Sequence, residues 1–113
     1  MNPSLPTRDE VARYLACDQD DLLDELSVYA EASGATYRGK AALEQIEPRL
    51  RQAVCQDWNW CHWRQDARFA DQIDLAVAVA GALTATALPW GAPTALAAVI
   101  LVKFGLDKFC KCQ

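Results

Sequence analysis

The residues best equipped for chemistry lie in two short runs. One is Cys55-Gln-Asp-Trp58-Asn59-Trp60-Cys61-His62-Trp63-Arg64, and the other is Cys110-Lys-Cys112. Cys55, Cys61, His62, Cys110 and Cys112 are soft donors near two helix ends, and zinc takes four such donors in a tetrahedron. The spacing is irregular, because Cys55-x5-Cys61 and Cys110-x-Cys112 lack the paired C-x2-C step, and Cys55 and Cys61 diverge on a helix. Buried structural thiols are the default for such cysteines. A disulfide from the Cys110/Cys112 tail to the Trp-rich helix is the further alternative in an oxidising compartment.

A cysteine nucleophile is poorly served here. Cys61 and His62 are adjacent and point apart. Cys55 and His62 stand about 10 Å apart along a helix axis, too far for direct proton transfer. Cys55, Asn59, His62 and Asp66 share a face at steps of four, three and four, which lets His62 and Asp66 hydrogen-bond. No catalytic constellation follows, and the chain is expected not to be an enzyme.

Three of the four tryptophans fall within this run. Trp58 and Trp60 point different ways on a helix, so packing against two neighbours explains them simply. The sharper reading makes Trp58, Trp60, Trp63 and Arg64 a partner-binding surface, since Trp and Arg concentrate at interface hot spots. A membrane-interface belt, with Trp90 at another depth, is the third.

Two other runs fail as sites. The acidic residues 18–25 lack the glycine of a calcium loop, and Tyr29 stands where its closing glutamate belongs. Gly39-Lys40 is followed by Ala41, not the Ser or Thr of a phosphate loop.

The elements that position these residues are dominated by residues 75–102, a stretch of 28 without a charge, bounded by Asp74 and Lys103. Pro89, Gly91 and Pro93 interrupt it. The pattern predicts two helices, about 72–88 and 94–109, folded back at 89–93. The uncharged part of the first arm is about 21 Å long, short of a hydrocarbon core of about 30 Å. Ala76, Ala80 and Thr84, then Ala78, Ala82 and Thr86, then Gly81 and Ala85 recur at steps of four. Such small-residue faces let another backbone approach closely. A helix apolar all round is either the centre of a soluble bundle or lipid-facing. In the lipid-facing alternative, Leu75, Val79, Leu83, Leu88, Trp90, Leu96 and Ile100 would enter the bilayer.

Upstream, Thr7 to Glu10 reads as a capping box opening a helix to about residue 16. Asp18 caps a helix over 19–32, closed by Gly34. A third helix starts near Lys40. Pro48 either kinks it or begins a fourth, whose stripe of Leu50, Val54, Trp58 and Cys61 continues to about residue 70. No strand alternation is present. The fold class expected is all-α: a single domain over 1–113, a small bundle of four to six helices around a central hydrophobic hairpin. Residues 1–71 supply amphipathic acidic helices, and 72–113 the hairpin and a short basic tail.

Net charge is −4. Residues 1–74 carry eight basic and fourteen acidic groups, and residues 75–113 three and one. The acidic balance excludes the basic footprint of a nucleic-acid binder. The N-terminus shows no basic region followed by an apolar run, so a cytoplasmic location with reduced thiols is expected. The five cysteines leave one over in any disulfide scheme. The function expected is non-enzymatic: protein–protein interaction, with a protein partner or a second copy, as an adaptor or accessory component of a multi-protein bacterial defence or regulatory system. The alternatives are a membrane-inserting effector and a small zinc-stabilised module; no other cofactor is expected.

Overall fold

The computed structural model describes residues 8–112; the capping residue Thr7 lies outside them. Helix α1 spans Arg8–Leu15 and puts Val11 in the core. Helix α2 spans Gln19–Ala32. Asp18 caps it as expected, its carboxylate accepting from the Asp21 N–H at 2.9 Å. Its end is a full Schellman motif: the Gly34 N–H reaches Glu31 O and the Ala35 N–H reaches Ala30 O, with Gly34 at φ +87°. The loop that follows is tied back by Ser27. Its hydroxyl donates to Leu23 O at 2.9 Å and accepts the Gly39 N–H at 2.5 Å.

Helix α3 spans Lys40–Leu50 and continues through Pro48, so no fourth helix begins there. The backbone then widens into a π-helical segment, Arg51–Asp57. One rod thus buries Ala42, Leu43, Ile46, Leu50, Ala53 and Val54. It stops far short of the expected residue 70. The Trp58 N–H closes on Ala53 O at 2.9 Å, and Asn59 turns left-handed at φ 60°. Asparagine tolerates that conformation better than most side chains, which ends the rod there. A single turn, α4 (Trp60–Trp63), and a 3-10 turn, Ala67–Phe69, complete the connection.

Asp71 then caps a new helix by accepting from the N–H groups of Ile73 and Asp74. This helix, α5, spans Gln72–Leu83, five residues shorter than expected. Thr84 curtails it, its N–H and hydroxyl both bonding to Gly81 O. The Pro89–Gly91 turn reverses the chain, with Trp90 at φ 65°. Helix α6 spans Thr94–Phe104, directly after Pro93. The expected second arm breaks at Gly105, φ 108°, after which α7 covers Leu106–Cys110.

The chain is therefore all-α, with five longer helices, two short ones and no strand among the described residues. Its radius of gyration, 13.2 Å, is that of a compact domain of this length, about 13 Å. Every residue from 95 to 101 is buried, so α6 lies at the centre. Helices α1, α2, α5 and α7 pack against it, α5 most extensively. The α5 face toward the core is Ala76, Val79, Ala80 and Leu83. Gly81 is not part of a close approach, since a Cβ there would meet nothing within 4 Å. No helix among the described residues is long and apolar enough to cross a membrane.

Candidate functional site

The left-handed turn at Asn59 breaks the face on which Cys55, Asn59, His62 and Asp66 were expected to align. Asp66 instead caps the 3-10 turn, accepting from the Arg68 N–H at 2.9 Å and from its guanidinium. Hydrogen bonds from the Arg68 guanidinium and backbone N–H, and then its charge, hold the Asp66 carboxyl below the usual range. His62 packs edge-on against Trp63, with ring centroids 5.0 Å apart.

The same turn folds the aromatic rings together. Trp58 and Trp60 lie 5.7 Å apart, and Phe69 closes the group at 5.6 Å and 6.0 Å from them. Trp60 is buried, and its indole N–H donates to Asp107 Oδ1 at 2.8 Å. Trp58 is half-buried. Trp63 alone of the three is exposed, at 38 %. The Arg68 guanidinium lies 5.8 Å from the Trp63 ring and 5.4 Å from Phe69, within reach of a cation–π attraction. Arg64 is drawn to Asp107 at 3.6 Å. The expected surface of Trp58, Trp60, Trp63 and Arg64 is thus divided, with two rings turned inward and Trp63 outward.

Phe69, Arg68 and Asp107 were not foreseen in this cluster. Asp107 carried a signal: it is the single acid beyond residue 74, and a buried indole N–H needs an acceptor.

The cysteines proposed as zinc ligands are committed elsewhere. Cys55 is bonded to Cys110 and Cys61 to Cys112, with Cα atoms 5.3 and 5.4 Å apart. A metal takes thiolates, and these four sulfurs are joined in pairs, so they and His62 do not make the expected ligand set. The pairing also replaces the expectation of reduced thiols with the tail-to-Trp-helix alternative. It staples α7 to both the π-helical segment and α4. Arg51 adds a non-covalent brace, donating to Phe109 O at 2.6 Å while its guanidinium lies 4.5 Å above the Phe109 ring.

The residues considered for bilayer entry are core or near-core in this fold. Val79, Leu83, Leu96 and Ile100 are fully buried, and Leu75, Leu88 and Trp90 are half-buried. Trp90 leans on Tyr37, centroids 6.3 Å apart, and Arg49 donates to Ala87 O at 2.7 Å beside it.

A groove of about 570 Å³ between α1 and α2 is lined by Arg13, Tyr14, Cys17, Asp21, Leu22 and Glu25. Burial, then the nearby Glu25 carboxylate, push the Tyr14 phenol up to about 12. Cys17 is a free thiol pointed at Arg13 O. No family model, characterised protein or solved structure matches the chain.

Proposed function

We propose that the chain is a small non-catalytic helical protein, a bundle wrapped around the α5–α6 hairpin, that acts by binding another protein through the surface around Trp63 and Arg68. The observation that carries this reading is the exposed Trp63 ring, with His62 edge-on to it and the Arg68 guanidinium 5.8 Å away, on a helical turn stapled by the Cys61–Cys112 disulfide. A rigid, exposed Trp beside an Arg is the kind of anchor that dominates interfaces, and its rigidity lowers the ordering cost of binding. The expectation of a cytoplasmic location rested on an N-terminus without a basic region and apolar run, and reduced thiols were its corollary. Two disulfides favour an oxidising compartment instead.

The test is affinity capture by the oxidised protein from extracts of its source cells, with Trp63→Ala and Arg68→Ala as comparisons. Light scattering of the purified chain covers the case of a second copy. A defined partner, or a dimer, should disappear in both variants while their circular dichroism stays unchanged. Recovery of the same proteins by Trp63→Ala would defeat the reading. Flotation with liposomes that ignores both variants would favour bilayer insertion over protein binding.

A further inference from the structure

We infer that α7 is a reversible cover over Trp60, kept shut by the two disulfides and opened by a dithiol reductant. Five residues are too few for a helix to stand by itself in water. Without its bonds, α7 has two buried side chains, Leu106 and Phe109, the Trp60–Asp107 hydrogen bond, the half-exposed Arg64–Asp107 ion pair and the Arg51 brace. Ordering the backbone and side chains of residues 106–112 costs more than burying two side chains offsets. The covalent bonds Cys55–Cys110 and Cys61–Cys112 tip that balance. All four cysteines are only partly buried, so a reductant can approach them.

The hinge is also in place. Gly105 joins α6 to α7 at φ +108°, a conformation side-chain-bearing residues rarely adopt, and a Cβ there would meet nothing closer than Lys108 Cβ at 3.9 Å. Crowding does not hold this joint. Helix α6 ends before it and has its own partners in α1, α2 and α5, so the core does not depend on α7 alone.

The chemical step is ordinary exchange. One thiolate of the dithiol attacks a sulfur of the disulfide and forms a mixed disulfide. The second thiol then attacks that bond and releases the reductant as its cyclic or paired disulfide. Two electrons pass to the cysteine pair, and both sulfurs end as thiols carrying the two protons. Two dithiols open both pairs. Lifting α7 then uncovers the Trp60 indole and the apolar faces of Leu106 and Phe109, alongside the already exposed Trp63. This inference goes beyond the partner-binding reading, and its test uses the chain alone, so either can fail without the other.

The experiment is amide exchange on the full chain before and after dithiothreitol, with opening of both bonds verified by alkylation and mass. Exchange over residues 106–112 should rise at least about tenfold, while the buried turns of α5 and α6 keep their protection. Reoxidation should restore the starting pattern. Three results overturn the inference: unchanged exchange over 106–112 with all four released thiols alkylated in addition to Cys17, loss of protection throughout the chain at once, or failure to close again on reoxidation.

Discussion

The Trp60 indole N–H and Asp107 Oδ1 meet at 2.8 Å across 47 positions of sequence. Trp60 is 5 % exposed, so its donor has little access to water. Asp107→Ala should cost about 1–3 kcal/mol by leaving that donor unpaired, read as a lowered urea midpoint. Asp107→Asn keeps an acceptor and should recover most of the loss. The Arg64 ion pair, more than half exposed at its Asp107 end, contributes little by comparison. Equal losses in the two variants would assign the effect to charge instead.

The disulfides should not act additively. They span 55 and 51 residues, but once one is closed the other closes only the small ring through 55–61 and 110–112. Chain-closure entropy gives about 2.5 kcal/mol for that ring and about 4 kcal/mol for the long loop. Replacing either pair by serines should therefore cost about 2.5 kcal/mol, with little to distinguish them. Replacing the second pair should cost further, but less than the full loop value of about 4 kcal/mol, because an undocked α7 has already regained its freedom. Equilibrium denaturation of the three variants measures this. A full further loss would mean that α7 stays docked without its bonds.

Two glycines should respond oppositely to alanine. Gly81 sits in the last turn of α5 with open space where a Cβ would go, so Gly81→Ala should stabilise by about 0.5–1 kcal/mol. Gly105 has φ +108°, and Gly105→Ala should destabilise by about 1–3 kcal/mol through backbone strain. Thermal melts of the two variants decide it; a loss at Gly81 would show that the small-residue stripe is needed there after all.

Alkaline pH should weaken the fold through Tyr14. Its folded pKa, about 12, exceeds the ordinary 10.0. The unfolded chain therefore releases that proton first. The contribution is fully present below pH 10 and is lost as pH rises from there to about 12. Tyr14→Phe should flatten the stability slope over that window. Asp66 runs the other way: its folded pKa is lowered, so its contribution holds above the ordinary 3.8 and fades as the solution is acidified. An unchanged alkaline slope in Tyr14→Phe would remove Tyr14 from the account.

Local signals in the sequence were read correctly where one or two residues decide the geometry. Asp18 and Gly34 bound α2 because a carboxylate cap and a left-handed glycine act within a single turn. Pro89, Gly91 and Pro93 marked the reversal for the same reason. The segment after Pro48 was misread because its apolar stripe persists through the π-helical turns, while the stop at Asn59 depends on a backbone conformation that many sequences avoid. The tail-to-Trp-helix disulfide stood among the alternatives the sequence offered, but which cysteine meets which was illegible, for a different reason. Cys55 reaches Cys110 only once α5 and α6 have folded back, and spacing along a chain does not encode which distant thiols meet. The partner surface was half legible. The density of tryptophans marks the region, but which ring faces water is set by the turn at Asn59.

The staple between residues 55 and 110 also governs how the molecule would bear a load. Tension applied between Arg8 and Cys112 follows the shortest covalent route, down to Cys55 and across to Cys110. Residues 56–109 then lie off that covalent route, and α5 and α6 are loaded only through packing against neighbours such as α1 and α2. The oxidised chain should yield only about half the extension of the reduced one, because residues 56–109 stay within the closed loop.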